Sequence, residues 1–470
     1  MKIDMKIQAI DLLSPIERMW TVSGEKILNI QEKFPASSSS PVFTVEGAYQ
    51  AQGWTEWTQG FQFGSAVLQF DGTRDERFLE IGRSYTVNEM ASHVTHVGVH
   101  DHGFNNVSTY GNLWRLMNEG VIEEREWERH FYEMALKASG AVQAARWSKT
   151  SDGGGYMYSF NGPQSLFVDT IRTCRALSVS HQLGHTLWGE QDEKISLLGR
   201  VIEHGISTAK YNVWYGEGRD TYDLRGRTAH EALFNAYNGV FRAPSTQQGY
   251  SPFSTWTRGL AWAMVGFVEE LEFLRTRPAE ELEPWGGIAE IEAVFLKAAK
   301  ATCDFYIEHG SAACGVCYWD TGAPSLHKLG EDYLKRDADP FNEYEPVDSS
   351  ASAIAAQGLI RLGQYLDLYH AEKDSSRYAQ AGLTVLTKLL EEPYLSTDAK
   401  HQGLLLHSVY HWPNGWDHVP AEAKVPQGES SMWGDYHLRE VAVLAQRLAK
   451  NETYLTFFDG RKPAVGCATV

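Results

Sequence analysis

Ile288-Ala289-Glu290-Ile291-Glu292-Ala293-Val294-Phe295-Leu296-Lys297-Ala298-Ala299-Lys300-Ala301-Thr302-Cys303-Asp304-Phe305 is the stretch from which the fold is read. Its apolar residues Ile288, Ile291, Phe295, Ala298 and Phe305 recur every three to four positions, with Glu290, Glu292, Lys297, Lys300 and Asp304 mostly between them. At about 3.6 residues per turn this is a helix that packs on one face. Similar segments can be drawn near 16–33, 60–70, 74–91, 107–118, 123–145, 167–187, 191–208, 256–274, 350–369, 374–391 and 434–449, and 288–308 brings the number to about a dozen. Asp348-Ser349-Ser350 supplies side-chain oxygens to cap the helix beginning near Ala351, and Gly-rich or Pro-rich stretches separate other segments. Strand patterning is weak. With no composition break and no solenoid-type repeat, residues 1–470 read as one domain, all-α, an α/α barrel around one cleft.

The connections hold most of the unusual side chains. Val97 to Asn106, Ser151 to Gln164, Trp214 to Ala229, Thr246 to Arg258, Tyr318 to Pro346 and His407 to Trp433 are long and rich in Gly, Trp, Tyr, Asp and His. Loops of that length in a compact protein are functional or disordered, and the aromatic content argues against disorder. The low-complexity patch Ala36 to Ser40 reads instead as a mobile surface loop.

Composition narrows the partners. In 470 residues, 42 Lys+Arg face 60 Asp+Glu, a formal net charge of -18, and no Lys/Arg-rich block interrupts that balance. Nucleic acid and anionic membranes, which need a basic field, are therefore not expected. The start of the chain has no continuous apolar segment, and the longest apolar run, around Gly259 to Val268, is far below the ~18 residues a membrane span requires. Five cysteines, an odd number, fit reduced thiols. Together these lead to the expectation of a cytoplasmic protein. The 15 Trp, 22 Tyr and 20 Phe supply more rings than a core needs and suit a sugar cleft, although any single ring is first of all core packing.

Metal readings are weak. His96 and His100, the pair His181 and His185, and Cys314 with Cys317 have suggestive spacing, but His181-Gln182-Leu183-Gly184-His185 lacks the glutamate of an H-E-x-x-H site, and no third ligand is evident. No metal or cofactor is expected. Carboxylates in apolar settings carry more. Asp169 lies in Ser165-Leu166-Phe167-Val168-Asp169-Thr170-Ile171, where burial would raise its pKa as a general acid requires; an N-capping aspartate is the equal alternative. Asp101, in His100-Asp101-His102-Gly103-Phe104, is the second acid, its glycine permitting a tight turn. Two acids facing one cleft suit glycosidic-bond chemistry. Arg258 sits between Trp256 and Trp262, so its planar fork suits a substrate carboxylate, or else an Asp or Glu across the barrel.

Taken together, these stretches resemble the unsaturated glucuronyl hydrolases, glycoside hydrolase family 88. The resemblance runs from about Trp54 to Leu448 and rests on Trp57-Thr58-Gln59-Gly60-Phe61, His100 to Phe104, Asp169, the run Gln248 to Trp262, Tyr318-Trp319-Asp320, Asp348 to Ile354, and Trp433-Gly434-Asp435-Tyr436. It implies a cytoplasmic (α/α)6 barrel without a metal, acting on an unsaturated uronide oligosaccharide. By the same resemblance Asp169 is the general acid/base and Asp101 the second essential carboxylate. His230, Gln248, Arg258 and His100 contact the unsaturated sugar, Trp57, Trp256 and Trp262 form aromatic walls, and Ser430 and Ser431, in the segment Lys424 to Ser431, meet the next sugar. The stretch Tyr211 to Ala229 looks like an insertion, and Tyr158 or Phe160 stands where the family commonly has Trp. A polysaccharide lyase or conventional glycosidase on the same barrel is the alternative, and a non-catalytic sugar-binding protein a third.

Overall fold

The structure, a computed structural model, describes residues 1–33, 40–51, 56–372 and 375–458. Trp54 and most of the patch from Ala36 lie outside the described residues. Helices dominate, and they alternate between two kinds. One kind buries a single stripe: α1 (Leu13–Lys33), α3 (Glu76–Glu89), α6 (Glu126–Ala145), α8 (Leu197–Tyr211), α10 (Gly287–Phe305) and α12 (Ser375–Leu389). The decisive stretch is α10, where Ile291, Phe295, Ala298 and Phe305 are buried. The other kind is buried nearly all round: α2 (Gln59–Thr73), α4 (His102–Asn106) running through a π turn into α5 (Asn112–Asn118), α7 (Cys174–Gln182), α9 (Thr257–Leu274), α11 (Ser349–His370) and α13 (Met432–Lys450).

A helix buried on every face needs neighbours on every face. Here the buried set forms an inner ring and the striped set an outer one. α13 packs on both α11 and α2, which closes the ring. This is the α/α barrel expected, with six inner and six outer positions among the described residues. Its axis is filled by ion pairs between inner helices: Arg172 with Glu269 at 2.7 Å and with Glu440 at 3.0 Å, Arg175 with Glu440 at 3.1 Å, and Arg361 with Glu272 at 2.8 Å, all buried. Charges so deep are tolerable only because each one is paired.

Asp348 does cap α11, accepting the Ser350 and Ala351 N–H groups. The predicted helix over 167–187 is broken instead. Ser165–Phe167 forms a strand (β1) against Glu231–Phe234 (β2), which pairs with Phe241–Ser245 (β3); a 3-10 turn, Val168–Thr173, follows β1, and α7 stops before Gly184, whose φ of +76° is left-handed. The predicted 191–208 helix starts later, at Leu197, where Ser196 accepts the Gly199 N–H. Among the described residues no helix is long and apolar enough to cross a membrane.

Candidate active site

Strand pairing assembles the centre of the site. In the antiparallel register Phe167 stands opposite Glu231, and the Val168 N–H donates to the His230 carbonyl at 2.9 Å. Asp169 and His230 therefore emerge side by side from segments about sixty residues apart. His100 and Asp101 come in from the other flank, just before α4. Gly103 makes that approach possible: a Cβ there would meet the Thr173 side chain at 2.3 Å, and Thr173 Oγ1 donates to the His100 carbonyl at 2.8 Å. The glycine is needed for this close packing, since its φ is not left-handed.

His100 bridges the two acids. Its Nε2 is 3.0 Å from Asp169 Oδ2, and its Nδ1 is 3.9 Å from Asp101 Oδ2. Burial opposes the charge on His100, yet the flanking carboxylates win and raise its pKa. Burial likewise pushes Asp169 upward, but His100 and its hydrogen bond outweigh it and the pKa falls below the usual carboxylate range. Burial dominates at Asp101, whose pKa rises. The two groups thus pull each other toward an imidazolium–carboxylate pair, and the Asp169 pKa is lowered where the apolar setting was expected to raise it. Asp169 is also no N-cap, because its side chain turns to His100.

His230 is neutral, with burial lowering its pKa to about 4. Its Nδ1 accepts the N–H groups of Gln247 at 3.0 Å and Gln248 at 3.3 Å. The ring proton therefore sits on Nε2. That Nε2 lies 3.9 Å from Asp169 Oδ1, and both atoms are buried without a hydrogen-bond partner. A buried donor and acceptor held just out of mutual reach can both turn to one polar atom of a guest lying to the side of their line.

These groups open into a cavity with about 240 Å3 of room for the centres of water-sized bodies, open to a guest. Its walls include Trp57, Trp256 and Trp262, as expected, and Trp433, which stacks on Trp57 with ring centres 5.5 Å apart. Phe160 lies parallel to His100 at 6.4 Å. Gln248 and Arg258 line the cavity too, but the arginine fork is occupied. Its Nη1 donates to Asp348 Oδ2 at 2.9 Å and to the Val409 carbonyl, and its Nη2 to Gln248 Oε1 at 2.9 Å and the Tyr410 carbonyl at 2.8 Å. Of the two expectations for Arg258, the cross-barrel carboxylate is the one realised. Asp348 is fixed in place as the α11 cap, so the guanidinium is drawn to it and in turn aims the Gln248 amide nitrogen away, free to donate.

Ser430 and Ser431 do not line the cavity. Both are fully buried: Ser430 Oγ donates to Asp435 at 2.7 Å, and Ser431 caps α13 by accepting the Gly434 N–H. The start of a buried helix claims those hydroxyls. His230, likewise, is not part of the cavity lining; it stands next to Asp169, its Nε2 3.9 Å from Oδ1. Lys424 is two-thirds exposed and paired with Glu343. Tyr410, His411, Asn414 and Trp416 supply the wall that single-residue reading missed. Their only sequence signal is the aromatic, polar character of the 407–433 loop. Asp417, whose pKa burial pushes up to about 7, holds that rim by accepting the N–H groups of Tyr410 and His411. The 211–229 stretch lies outside the cavity wall; within it Arg219 and Arg227 each sit 3.9 Å from the Trp214 ring centre.

His100, Asp101 and Asp169 are also the trio among the described residues whose ligand atoms could surround a cation, all within 4.8 Å of one another. His181 instead pairs with Glu281 at 2.8 Å, and Cys317 Sγ with the Ser352 hydroxyl at 3.3 Å.

No protein-family model matches the chain. It is 25% identical, over 84% of its length and 87% of the relative's, to an unsaturated glucuronyl hydrolase of Bacillus sp. strain GL1. It is 23% identical, over 85% and 84%, to an unsaturated chondroitin disaccharide hydrolase of Streptococcus agalactiae. Among solved structures, the Bacillus sp. GL1 unsaturated glucuronyl hydrolase superposes with a TM-score of 0.67 at 22% identity, covering 91% of this chain and 94% of that one. A heparin-specific unsaturated glucuronyl hydrolase gives 0.69 at 17%, covering 93% and 98%. Relatives and neighbours thus carry the family name that the sequence motifs resemble, and the solved structures share the fold.

Proposed function

We propose that the chain is an unsaturated glucuronyl hydrolase, a glycoside hydrolase that removes the 4,5-unsaturated uronate from the non-reducing end of oligosaccharides released by lyases. The observation that carries the reading is Asp169, paired to His100 on one oxygen and left open on the other, at the bottom of an aromatic cavity. The similarity to glucuronyl hydrolases supports it.

The ring to be cleaved is a vinyl ether. Asp169 donates a proton to C4, and positive charge develops at C5 and the ring oxygen. In the free enzyme that proton rests on His100. An incoming uronate adds a negative charge beside Asp169, raises its pKa, and moves the proton along the 3.0 Å hydrogen bond. Water then adds at C5 while the Asp169 carboxylate takes one of its protons. The resulting hemiketal opens by breaking its bond to the ring oxygen, and the aglycone leaves from C1 as an alcohol. His230 Nε2 and the Gln248 amide nitrogen donate to the sugar, and Asp101 accepts from its hydroxyls. Arg258 acts through Gln248 as a positioning residue.

An ultraviolet assay tests this. The hydrolase consumes the conjugated alkene of lyase-derived disaccharides from chondroitin, hyaluronan, heparin, gellan or xanthan, so absorbance falls. A lyase on the same barrel makes it rise with polymer, and a sugar-binding protein leaves it unchanged. We further place the enzyme in the cytoplasm, a setting supported by four buried, unbridged cysteines among the described residues.

A further inference from the structure

Arg439 stands apart among the deep arginines. It is 1% exposed on α13, and no carboxylate of the described residues lies within ion-pair distance of it, whereas Arg172, Arg175, Arg361 and Arg447 all have one; the buried Arg146 also lacks one, but it donates to the carbonyls of Val97, Tyr158 and Ser159. Its Nε donates to Ser23 Oγ at 2.8 Å and its Nη1 to Ser65 Oγ at 3.1 Å; Nη2 is buried with no partner. Lys26, 4% exposed on α1, adds a second cation nearby, bound to the Ser396 hydroxyl and to two carbonyls rather than to an acid. The field of Arg439 helps lower the Lys26 pKa. Asp435 is the carboxylate both cations feel, and its oxygens are already taken by Tyr49, Ser430 and the Leu404 and Leu405 N–H groups. Lys26 also feels Asp398 and Glu25, whereas for Arg439 Asp435 is the single carboxylate in reach of its field.

A small cavity lies against this arginine. It runs between α1, α2, α3 and α13, with Ile27, Phe63, Ile81 and Met432 among its apolar walls and Gln31, Gln62, Ser65 and Arg439 among its polar ones. Its room for the centre of a water-sized body is about 20 Å3, enough for one small occupant and too little for a sugar or nucleotide. Ser65 Oγ accepts from Arg439, so its own proton is available to a neighbour. The Gln62 side chain also lines the cavity, its Oε1 buried without a partner; an amide turned by half a revolution presents its nitrogen there instead. An unpaired buried guanidinium is costly, and an anion is what neutralises it.

We propose that this cavity is a binding site for one small monovalent anion of chloride size, held by Arg439 Nη2 and the Ser65 hydroxyl. The occupant clamps α1 and α2 to α13, the helix whose first turn carries Trp433 into the substrate cavity. The apolar walls favour a weakly hydrated monovalent ion over phosphate or sulfate. The site is independent of the proposed hydrolase chemistry.

Crystals of the wild-type protein soaked in sodium bromide test it directly. An anomalous peak against Arg439 Nη2 is expected; a map with no bromide in this cavity overturns the proposal. In solution, replacing sodium gluconate by sodium chloride at constant ionic strength should raise the unfolding temperature by about 2–4 °C, and equal temperatures in the two salts would also overturn it. Ser65→Ala keeps the arginine and should weaken the chloride midpoint about fivefold, while Arg439→Met should abolish the chloride response. If Arg439→Met does not fold, the bromide map and the Ser65→Ala midpoint decide; an unchanged midpoint counts against the assignment.

Discussion

His100 Nε2 stands 3.0 Å from Asp169 Oδ2, so the imidazole and the carboxylate share one proton between them. Asp169→Asn removes the group that delivers it. Turnover should fall by about 10^3-fold or more with KM little changed, read as the rate of alkene loss at saturating disaccharide.

The same pair sets the basic limb of the pH profile. The His100 pKa lies above its ordinary value and that of Asp169 below, so the productive proton is present until His100 deprotonates. kcat/KM should therefore decline only as pH rises through the elevated His100 value, above about 6.5. His100→Gln should remove that limb and lower kcat across the whole range. A His100→Gln profile superposable on the wild type's, apart from scale, would remove His100 from the proton path.

Arg258→Lys tests the positioning role. Lysine keeps the charge but cannot serve Asp348, Gln248 and two carbonyls together. Loss of a buried pair's geometry should cost about 3 kcal/mol in urea unfolding. KM should rise about tenfold as Gln248 loses its orientation, at about one lost polar contact to the sugar.

The rim bears on substrate choice. Among the described residues lining the cavity, Arg258 is the full-time cation and its Nη hydrogens are all taken, while burial holds His411 neutral with a pKa near 4. A sulfate on the second sugar would meet no free positive charge, within a protein of net charge -18. Unsulfated disaccharides should exceed their sulfated counterparts in kcat/KM by about tenfold. Parity or a sulfate preference would contradict this arrangement.

Glu270 gives a stability prediction away from the site. It is fully buried beside the axial ion pairs, and desolvation raises its pKa from 4.5 to about 8. The folded state holds a proton there that the unfolded state has released, so stability falls as pH rises from about 4.5 to about 8. Between pH 5 and 9 the wild type should lose about 4 kcal/mol more than Glu270→Gln, measured by denaturant unfolding.

The barrel was legible because its evidence is local: a stripe on α10 or full burial on α9 follows from residues a turn apart. What failed to show is long-range. Nothing in Ser165 to Ile171 reveals that a strand sixty residues later will pair with Phe167 and end a helical pattern. Asp101 and Asp169 could be named as acids, but their meeting depends on Gly103 fitting against Thr173. Arg258 was seen as a cleft arginine, yet only the α11 cap shows which anion it serves. Ser430 and Ser431 looked available because the sequence does not say which way a helix start faces. Tyr410, His411, Asn414 and Trp416 were visible as a loop's character and not as positions.

The ion pairs along the axis have a consequence for traffic. Arg172 lies 5.9 Å below the Trp262 ring, and Glu269, Glu440 and Arg361 continue the plug behind it. The axis therefore offers no passage through the barrel, and on the proposed function substrate and products do not travel along it. A long chain cannot be threaded through such a barrel or cut in its middle. On the proposed function it is a chain end that reaches the acids.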